Sequence, residues 1–493
     1  MYSNDILSNL PENLDYPPTD EPLRQMYFIR ELKKVFLAKE EELGRKLTYA
    51  VVTFGCQMNA HDSEKLEGIL ATAGLTASDE DTADIVIYNT CTVRENANMK
   101  LYGHLGQLKA KKKKNPEMII GLCGCMMQQP EIVDTLREKY RFVDIVFGTF
   151  NIYMLAELLH RHYSGEKQVI EVLKTPVGNP ENSLPERRKF SFKSGVNIMY
   201  GCNNFCTFCI VPYVRGRERS RIPEDIIDEV KRLAADGVTE VMLLGQNVNS
   251  YGVNFMEESE IIKNNPDYSF PELMADVCKV DGIKRVRFMT SHPKDLSDKL
   301  IEVIRDNPKV CRQIHLPVQS GSSRLLKIMN RRYTKEHYLG LIDKIRKEIP
   351  DVSISTDIMV GFPGETEEDF ADTMDLVDKV GFDQVFTFVY SIRSGTPAAT
   401  MEQVPEEVTK ERFDRLLKLV NVKAKEKVGR FKNQTVEVLV EDVDSHDSEM
   451  VTGRMNNNTT VHFKGCKELV GHYVMVKLSE EKGFYYIGEM VGQ

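Results

Sequence analysis

The chain has 493 residues, of which 41% are hydrophobic and 28% are charged, and it contains ten cysteines. This composition excludes a disordered or fibrous protein, and the length is enough for two or three domains. Lysine and arginine (65) are fewer than aspartate and glutamate (74), and the net charge of −9 argues against a protein dedicated to coating nucleic acid, while local basic patches remain compatible with it. The first residues are polar and acidic and no run of about 18 apolar residues occurs, so we expect a cytoplasmic protein that does not enter a membrane.

Changes in the hydrophobic pattern divide the chain into predicted segments. These are an N-terminal extension (1–46) with a helix near Gln25–Leu43, an α/β domain (47–164), a linker rich in proline and glycine (165–187), a second α/β domain (188–420) and a small β-barrel (426–490). Short β-branched runs that alternate with helical stretches indicate parallel sheets in both α/β domains. The tail alternates apolar and polar residues with period two, which is typical of antiparallel strands.

Six strand–helix units follow one another in the second α/β domain. Its predicted strands are Gly195–Tyr200, Val238–Leu244, Arg285–Met289, Gln313–Pro317, Ser353–Val360 and Asp383–Val389. Six units predict an incomplete β/α barrel rather than a complete eightfold one. The predicted fold class is therefore α/β, with a parallel-sheet domain, a partial (β/α)6 barrel and a small all-β barrel at the C-terminus.

Three cysteines of the first α/β domain each follow a predicted strand directly: Cys56, Cys91 and Cys125. The carboxyl ends of parallel strands share one edge of a sheet, so we expect the three thiols to converge. Three thiolates can hold a 4Fe–4S cluster and leave one iron open. The alternative is three buried structural cysteines, because unpaired cysteine is commonly buried. Cys123 lies within an apolar run, and we predict that it is a strand residue rather than a ligand.

A tighter group of cysteines follows the first strand of the second α/β domain. The segment GCNNFCTFC places Cys202, Cys206 and Cys209 at the spacing CxxxCxxC, which suits three corners of a cubane cluster whose fourth iron is free for another ligand. Zinc is the competing metal, but structural zinc takes four ligands and no fourth cysteine or histidine lies nearby. The cysteines without partners at metal-ligand spacing are predicted to pack in the interior: Cys278, Cys311 and Cys466.

The CxxxCxxC spacing after the first barrel strand resembles the signature of the radical S-adenosylmethionine superfamily. Within that superfamily the chain is similar to the methylthiotransferases, whose small C-terminal barrel is a TRAM domain. The resemblance covers about residues 46–493 and rests on the domain order and on the motifs FGCQMN, NTCTVRENA, GCNNFCTFCIVPYVRGRERSR, LLGQNVNSYG, HLPVQSGS, MVGFPGET and GRMNNNTTVHF.

The resemblance implies an enzyme that converts N6-isopentenyl (dimethylallyl) adenosine at position 37 of tRNA to its 2-methylthio form. It assigns a radical-generating 4Fe–4S cluster to Cys202, Cys206 and Cys209, and an auxiliary 4Fe–4S cluster that carries the sulfur to Cys56, Cys91 and Cys125. One S-adenosylmethionine would donate the methyl group, and a second would supply a 5′-deoxyadenosyl radical. The implied partners are the anticodon stem-loop of tRNA and an electron donor such as flavodoxin or ferredoxin. A monomer is expected, because one chain carries every predicted part.

Polar residues follow the predicted barrel strands, at the face where β/α barrels carry their sites. The candidates for binding S-adenosylmethionine are Gln246, Asn247, Ser291, Gln319, Ser320 and Asp357. A hydrogen-bonded turn residue is the alternative for each of them, and Gln246 or Ser291 taken alone favours that alternative. Together, opposite a cysteine loop, they favour a cofactor site.

Binding of tRNA requires positive charge near the site even on an acidic protein. The candidates for RNA binding are Arg215, Arg217, Arg219, Arg221, Arg331 and Arg332, for which ion pairing at the barrel rim is the alternative. Lys109 and Lys111–Lys114 form the densest basic run, and a solvated helix face is its alternative. The tail from residue 431 carries six Lys/Arg against ten Asp/Glu, so its contribution to RNA binding stays open.

Two other functions are compatible with these motifs. A related methylthiotransferase would act on threonylcarbamoyl-adenosine in tRNA or on an aspartate of a ribosomal protein, although the NNFCTFCIVPY loop favours isopentenyl adenosine. A non-catalytic iron–sulfur protein that binds RNA would hold clusters but would not cleave S-adenosylmethionine.

Overall fold

The computed structural model describes residues 10–11, 14–92, 95–176, 184–255 and 257–492. The start of the predicted extension, two residues of the NTCTVRENA motif and residues 177–183 of the predicted linker lie outside the described residues. The chain forms two compact units, one with residues 1–189, 200–202 and 210–218 and the other with residues 190–199, 203–209 and 219–493. Two short segments that follow the first barrel strand thus group with the N-terminal unit.

A parallel sheet with helices on both faces forms the N-terminal unit. Its strands are β1 (Thr48–Thr53), β2 (Thr76–Ala77), β3 (Ile85–Thr90), β4 (Ile119–Gly124), β5 (Ile145–Phe147) and β6 (Val169–Glu171), and its helices are α1 (Leu23–Leu43), α2 (Gln57–Thr72), α3 (Glu95–Lys114), α4 (Pro130–Lys139) and α5 (Leu155–Tyr163). The strand order is β2-β1-β3-β4-β5-β6. Successive residues of β3 pack on opposite faces of the sheet: Ile85 and Ile87 lie in the hydrophobic cluster on one face, and Val86 and Tyr88 in the cluster on the other. Burial on both faces explains the continuous apolar runs of the sequence.

Helix α1, which lies within the predicted extension, belongs to the core of this unit. Its side chains Ile29, Leu32 and Phe36 are almost fully buried in the hydrophobic cluster that covers one face of the sheet. Arg24 at its first turn donates to Glu157 of α5 over 2.6 Å. The extension therefore contributes to stability through this helix.

Strand β6 lies within residues for which the sequence predicted a linker. It pairs in parallel with β5, with Val169 opposite Ile145. Three residues carry too little hydrophobic pattern to be recognised beside prolines and glycines, so the sequence missed this edge strand.

The second α/β array has the six predicted strands. In chain order its elements are β7 (Lys193–Asn197), β8 (Met199–Tyr200), α6 (Val211–Val214), β9 (Arg219–Ser220), α7 (Pro223–Ala235), β10 (Glu240–Leu244), α8 (Glu260–Asn264), α9 (Phe270–Cys278), β11 (Arg285–Phe288), α10 (Asp298–Asp306), β12 (Gln313–His315), α11 (Ser323–Ile328), α12 (Lys335–Glu348), β13 (Ser353–Val360), α13 (Glu367–Val380), β14 (Gln384–Val389) and α14 (Glu406–Val428). The parallel sheets β7-β10-β11 and β12-β13-β14 are joined by a parallel bridge between Val286 and Val310. This arrangement confirms the predicted incomplete barrel.

A separate short turn precedes helix α10. The chain from Pro293 to Asp295 forms a separate short 3-10 turn, and the Ser297 hydroxyl accepts a hydrogen bond from the Leu300 N–H to cap the new helix. A capping serine fixes a helix start because it satisfies a backbone donor that has no partner within the helix.

The C-terminal tail forms the predicted small barrel. Its strands are β15 (Thr435–Val443), β16 (Met450–Met455), β17 (Thr460–Lys464), β18 (Tyr473–Glu481) and β19 (Tyr485–Met490), closed in the order β15-β16-β17-β19-β18. Two buried arginines of β11 join it to the larger barrel: Arg285 donates to Arg454 O over 2.9 Å and Arg287 to Met455 O over 2.9 Å. No helix in the described part of the chain is long and apolar enough to cross a membrane.

Candidate active site

Three cysteines follow the carboxyl ends of three adjacent strands in the N-terminal unit: Cys56 after β1, Cys91 after β3 and Cys125 after β4. The parallel register aligns these ends, because Thr53 of β1 lies opposite Asn89 of β3, which lies opposite Cys123 of β4. Electrostatic interactions connect the Cys125 thiol with both other cysteines. The structure thus brings the three strand-end cysteines together, and it leaves Cys123 inside the strand and in the core.

Two glycines allow the turns at this edge to approach each other. Gly55 has a φ of +138°, and a Cβ there would lie 2.7 Å from the Cβ of Cys91. Gly124 has a φ of +94°, and a Cβ there would lie 2.4 Å from the Thr90 carbonyl oxygen. Any other residue would both strain the backbone and collide, so the edge depends on glycine at these two positions.

Amide side chains hold the strand ends in register. The Asn59 Nδ2 donates to Asn89 Oδ1 and to Thr90 O, each over 3.1 Å, and Asn89 Nδ2 donates to Asn59 O over 2.8 Å. The Cys56 thiol donates to Asn59 Oδ1 over 3.3 Å. Asn59 therefore positions Cys56 against β3. Asn59 was not among the residues predicted from the sequence, although its place three residues after a cysteine at a helix start was a usable signal.

Burial and charge differ among the strand-end cysteines. Cys56 is exposed, whereas Cys91 and Cys125 are buried. Burial raises the pKa of the Cys125 thiol to about 11, Arg215 opposes that rise, and Cys91 and Cys56 reinforce it. Arg215 is itself buried, and its Nη2 donates to Asp62 Oδ2 over 2.7 Å.

The donor set at this edge fits a 4Fe–4S cluster. Within the described ranges no three histidine, cysteine, aspartate or glutamate side chains are spaced to hold a single metal ion. A cubane is wider than one ion and each thiolate binds a different iron, so its ligands stand farther apart than those of a single metal. Three thiols suit such a cluster with one iron open, while tetrahedral structural zinc would need a fourth ligand.

The loop cysteines are held by short-range contacts. Cys206 is buried, and its Sγ accepts a hydrogen bond from Arg331 Nη1 over 3.4 Å. The Cys209 N–H donates to the Cys206 carbonyl over 2.9 Å, and the Cys202 N–H donates to Gly216 O over 3.2 Å. Cys202 and Cys209 are half-buried. The loop also fits a cluster through its donor set of three thiols.

A turn after helix α11 supports the cysteine loop. Phe205 has a left-handed φ of +47°, and Asn330 Nδ2 donates to its carbonyl over 3.0 Å and to Asn204 O over 3.1 Å. The Thr207 N–H donates to Met329 O over 3.1 Å. These contacts fix a conformation that a phenylalanine would otherwise avoid.

Unpartnered amide atoms lie at the ends of the first two barrel strands. Asn247 is buried and donates to Asp295 over 2.7 Å, and Ser291 donates to Asn249 over 3.1 Å. Within the described residues, Asn247 Oδ1, Asn249 Nδ2 and both amide atoms of Asn197 are buried without a hydrogen-bond partner. A buried polar group left unsatisfied costs about 1–3 kcal/mol. The arrangement therefore fits a polar ligand such as S-adenosylmethionine, and Asn197 is a residue that the sequence analysis missed. The neighbouring Gln246 is half-buried.

The fourth and fifth barrel strands carry a second polar group. Gln319 has a φ of +71°, and its N–H donates to Asp357 O over 2.9 Å. The Asp357 carboxylate lies 3.6 Å from His315 Nε2, and His315 Nδ1 is within hydrogen-bond distance, 3.0 Å, of Ser355 Oγ. His315 lies in the HLPVQSGS motif but was not among the predicted site residues. Its pairing with Asp357 follows from the register of β12 and β13.

Family models match three parts of the chain. They are the Radical SAM superfamily over residues 196–377, Uncharacterized protein family UPF0004 over residues 48–148 and the TRAM domain over residues 429–491. Two curated relatives carry the name tRNA-2-methylthio-N(6)-dimethylallyladenosine synthase. The protein of Lachnoclostridium phytofermentans is 58% identical over 94% of this chain and 98% of its own length, and that of Acetivibrio thermocellus is 51% identical over 97% and 98%.

The chain belongs to the tRNA-2-methylthio-N(6)-dimethylallyladenosine synthase family. Its match to the Radical SAM superfamily implies a 4Fe–4S cluster and S-adenosylmethionine. Among solved structures, the radical S-adenosylmethionine methyltransferase TsrM from Kitasatospora setae matches 72% of this chain and 77% of its own, with a TM-score of 0.52 and 14% identity. At that identity the likeness shows the fold alone.

Three of the arginines predicted to bind RNA in this family member are buried in the structure: Arg215, Arg221 and Arg331. Arg221 donates to Asn197 O over 2.6 Å and to Glu229 over 2.7 Å. Their burial favours the alternative of ion pairing within the protein, which Arg215 makes with Asp62 and Arg221 with Glu229. Arg217 and Arg332 are exposed and Arg219 is half-buried, so RNA binding stays a prediction for these three.

The structure also bears on Ser320, on the cysteines predicted to pack in the interior and on the lysine run. Ser320 is fully buried, its Oγ lies 3.3 Å from Thr373 Oγ1, and it accepts a hydrogen bond from the Ser322 N–H over 3.2 Å. These hydrogen bonds within the protein favour the alternative of a hydrogen-bonded turn residue for Ser320. Cys466 is exposed, whereas Cys278 and Cys311 are buried as predicted. In the lysine run, Lys111 pairs with Asp81 and Lys112 with Asp144, which favours the alternative of a charged helix face.

Proposed function

We propose that this protein catalyses the methylthiolation of C2 of N6-isopentenyl adenosine at position 37 of tRNA. The proposal is supported by the identity to relatives named for this product over almost their whole length. The observation that carries it in the structure is the convergence of Cys56, Cys91 and Cys125 at one sheet edge, in a chain that also has the CxxxCxxC loop. One cluster accounts for radical chemistry alone, while transfer of sulfur calls for a second thiol-ligated site.

The bound groups would supply the difficult chemistry: electron transfer to S-adenosylmethionine for activation of an unactivated C–H bond, and sulfur for the new bond. The residues of the chain would bind and orient these groups. Cys202, Cys206 and Cys209 would hold the radical-generating cluster, and the strand-end cysteines would hold the auxiliary one. We propose that the unpartnered amide of Asn197 and the unpartnered Oδ1 of Asn247 contact S-adenosylmethionine, together with Gln246, Ser291, Gln319 and Asp357.

Partners and domain limits belong to the same proposal. The substrate would be the anticodon stem-loop of tRNA with its modified base turned out of the stack, as enzymes that act on bases require. Arg217, Arg219 and Arg332 are the proposed phosphate contacts that remain after the burial of the other arginines. We further propose a flavodoxin- or ferredoxin-like electron donor, a monomer, and the domain limits 188–420 and 426–490. The predicted limits 47–164 are too narrow for the N-terminal domain, because helix α1 and strand β6 belong to it.

Iron counting tests the two-cluster part. Anaerobic reconstitution of the full chain should give about eight irons, falling to about four in the variant Cys56→Ala/Cys91→Ala/Cys125→Ala. The matched control replaces three cysteines that are not proposed ligands, Cys278→Ala/Cys311→Ala/Cys466→Ala, and should keep about eight irons. Unchanged iron in the first variant would refute the auxiliary site.

A comparison of substrates tests the reaction. The reconstituted protein is given an isopentenylated anticodon stem-loop, the same RNA with threonylcarbamoyl-adenosine, and a ribosomal-protein peptide with an aspartate. We expect the methylthio product only from the first substrate, detected by mass spectrometry of the nucleosides. Turnover of another substrate alone would favour the related methylthiotransferases, and clusters without any cleavage of S-adenosylmethionine would favour a non-catalytic iron–sulfur protein.

A further inference from the structure

One buried arginine lies against the strand-end cysteines. Arg215 donates to Asp62 over 2.7 Å and is also hydrogen-bonded to the Cys125 thiol. Its charge acts on Cys56 as well as on Cys125. The segment 210–218, which carries this arginine, groups with the N-terminal unit, and its side chains Ile210 and Val214 pack with Cys125.

Another buried arginine lies against the loop cysteines. Arg331 Nη1 donates to Cys206 Sγ over 3.4 Å. Its other donors serve neutral oxygens, with Nη2 donating to Pro317 O over 2.7 Å and Nε to Tyr333 OH over 3.0 Å. The guanidinium is thus fixed by three different groups, and only the sulfur among them gains negative charge when it binds iron.

We propose that Arg215 and Arg331 are positioning residues that set the charge at the two iron–sulfur clusters, each stabilising the reduced form of its own cluster. This inference rests on the proposed function, because it takes the two cysteine groups as cluster ligands. Reduction adds one electron, from the electron donor, to a cluster that already carries three thiolates. A fixed positive charge in a low-dielectric interior and a hydrogen bond to a ligand sulfur both favour that more negative state.

The surroundings of the two arginines predict different effects. The positive charge of Arg215 is partly balanced by the Asp62 carboxylate. The guanidinium of Arg331 contacts the Cys206 sulfur, and its other hydrogen-bond acceptors are neutral oxygens. Arginine suits both places because its guanidinium stays charged when buried and its donors spread over several acceptors. Removing Arg215 alone would leave a carboxylate buried beside the cysteines, so its neutral test needs Asp62 replaced at the same time.

The test measures the midpoint potential of each cluster in the full chain by redox titration followed with electron paramagnetic resonance. The loop cluster is observed alone in the Cys56→Ala/Cys91→Ala/Cys125→Ala background, and the strand-end cluster alone in the Cys202→Ala/Cys206→Ala/Cys209→Ala background. The variants are Arg331→Gln in the first background and Asp62→Asn/Arg215→Gln and Arg215→Gln in the second. Arg331→Lys and Arg215→Lys restore the charge, and Arg305→Gln and Arg137→Gln are exposed controls.

We expect Arg331→Gln to shift the loop cluster, and Arg215→Gln the strand-end cluster, to more negative potentials. The lysine variants should return part of each shift, the double variant should shift less than Arg215→Gln, and the exposed controls should leave both potentials in place. Potentials that do not move while iron is retained would overturn the inference, as would loss of iron in the lysine, glutamine and double variants alike, which indicates a purely structural role. An unsubstituted chain that binds no iron would refute the proposed function itself, and the inference with it.

Discussion

The two cysteine groups have the same donor set, but the chain builds them in opposite ways. The strand-end group takes Cys56, Cys91 and Cys125 from three strands whose register aligns their ends. The loop group takes its cysteines from eight consecutive residues, 202–209, and a turn at Met329 and Asn330 supports them. The first group therefore exists only when the sheet is formed, whereas most of the second group's geometry is encoded in its own spacing.

The two groups also differ in their electrostatic surroundings. At the strand ends an arginine is paired with a carboxylate, Asp62. At the loop the buried arginine has neutral oxygens beside the cysteine sulfur. Two sites with three sulfur donors each thus differ in their local electrostatic environment through one neighbouring carboxylate. The following experiments separate the groups, beginning with the largest expected effect.

Removing one cysteine from each group should separate two activities. In Cys209→Ala, formation of 5′-deoxyadenosine should fall to background, because the cluster that cleaves S-adenosylmethionine loses a ligand. In Cys91→Ala, cleavage should stay within about twofold of the unsubstituted protein, since the loop ligands are untouched, while methylthiolated RNA is absent. Both products are measured by mass spectrometry in the same reaction. Equal loss of cleavage in the two variants would contradict the division of roles.

Replacing Gly55 should damage the strand-end group selectively. Gly55→Ala adds backbone strain at a φ of +138° and a collision with the Cβ of Cys91, so we expect a loss of about 3 kcal/mol in the free energy of unfolding and loss of the auxiliary iron. The matched control is Gly165→Ala, where φ is +109° and the position is open, with an expected loss of about 1 kcal/mol. Urea denaturation and iron counting check both. Equal losses in the two variants would show that the close approach to Cys91 is unimportant.

Two histidines, His292 of the barrel domain and His61 of the N-terminal unit, should make the free energy of unfolding depend on pH in opposite directions. Burial, with the positive charges of Arg331, Lys294 and Arg332, lowers the pKa of His292 to about 2 from 6.5. Below pH 6.5 this histidine binds a proton in the unfolded chain but not in the folded protein. The free energy of unfolding therefore falls by about 2 kcal/mol between pH 6.5 and 5. Burial also acts to lower the pKa of His61, but Glu186 and Glu64 outweigh it and the pKa is raised.

His61 therefore changes the free energy of unfolding with pH in the opposite direction to His292. Its protonation stabilises the folded state below pH 6.5, and this contribution is lost as the pH rises through its raised folded pKa. Urea denaturation from pH 5 to 8 should show less acid sensitivity in His292→Gln and less alkaline sensitivity in His61→Gln. Variants that both keep the pH profile of the unsubstituted protein would rule out these assignments.

The smallest effect is expected from the neighbouring arginines 331 and 332. Arg332 is exposed and Arg331 is buried, so Arg332→Gln should reduce the salt dependence of RNA binding by about one unit of slope. Arg331→Gln should leave that slope unchanged. Fluorescence anisotropy with an isopentenylated anticodon stem-loop over a series of salt concentrations measures both. A reduced slope in Arg331→Gln would mean that the buried arginine reaches phosphate after all.

Much of the fold was predictable because hydrophobic periodicity is a local property. The alternation of short apolar runs with helices predicted the six barrel strands, and period two predicted the small barrel. The sequence missed β6, whose three residues carry too little pattern. It also assigned α1 to an extension, although Ile29, Leu32 and Phe36 lie in the core, because an amphipathic helix does not reveal which surface it will cover.

The predictions for the candidate site divide in the same way. The positions of the cysteines alone identified the two groups, because the type and spacing of possible ligands can be read directly from the sequence. The arginines were predicted to bind RNA as a group, yet their partners lie far away in sequence: Asp62 is 153 residues from Arg215, and Cys206 is 125 residues from Arg331. No local pattern reports which arginine is enclosed.

The amino-acid sequence by itself determined the order of the domains, the strands that carry the cysteines and the tight CxxxCxxC loop. Only the tertiary structure decided which charges face the cysteines, which amides at the barrel ends lack partners and which arginines remain exposed. The physical reason is range: periodicity and ligand spacing act over a few residues, whereas burial and ion pairing depend on contacts between segments that only folding brings together.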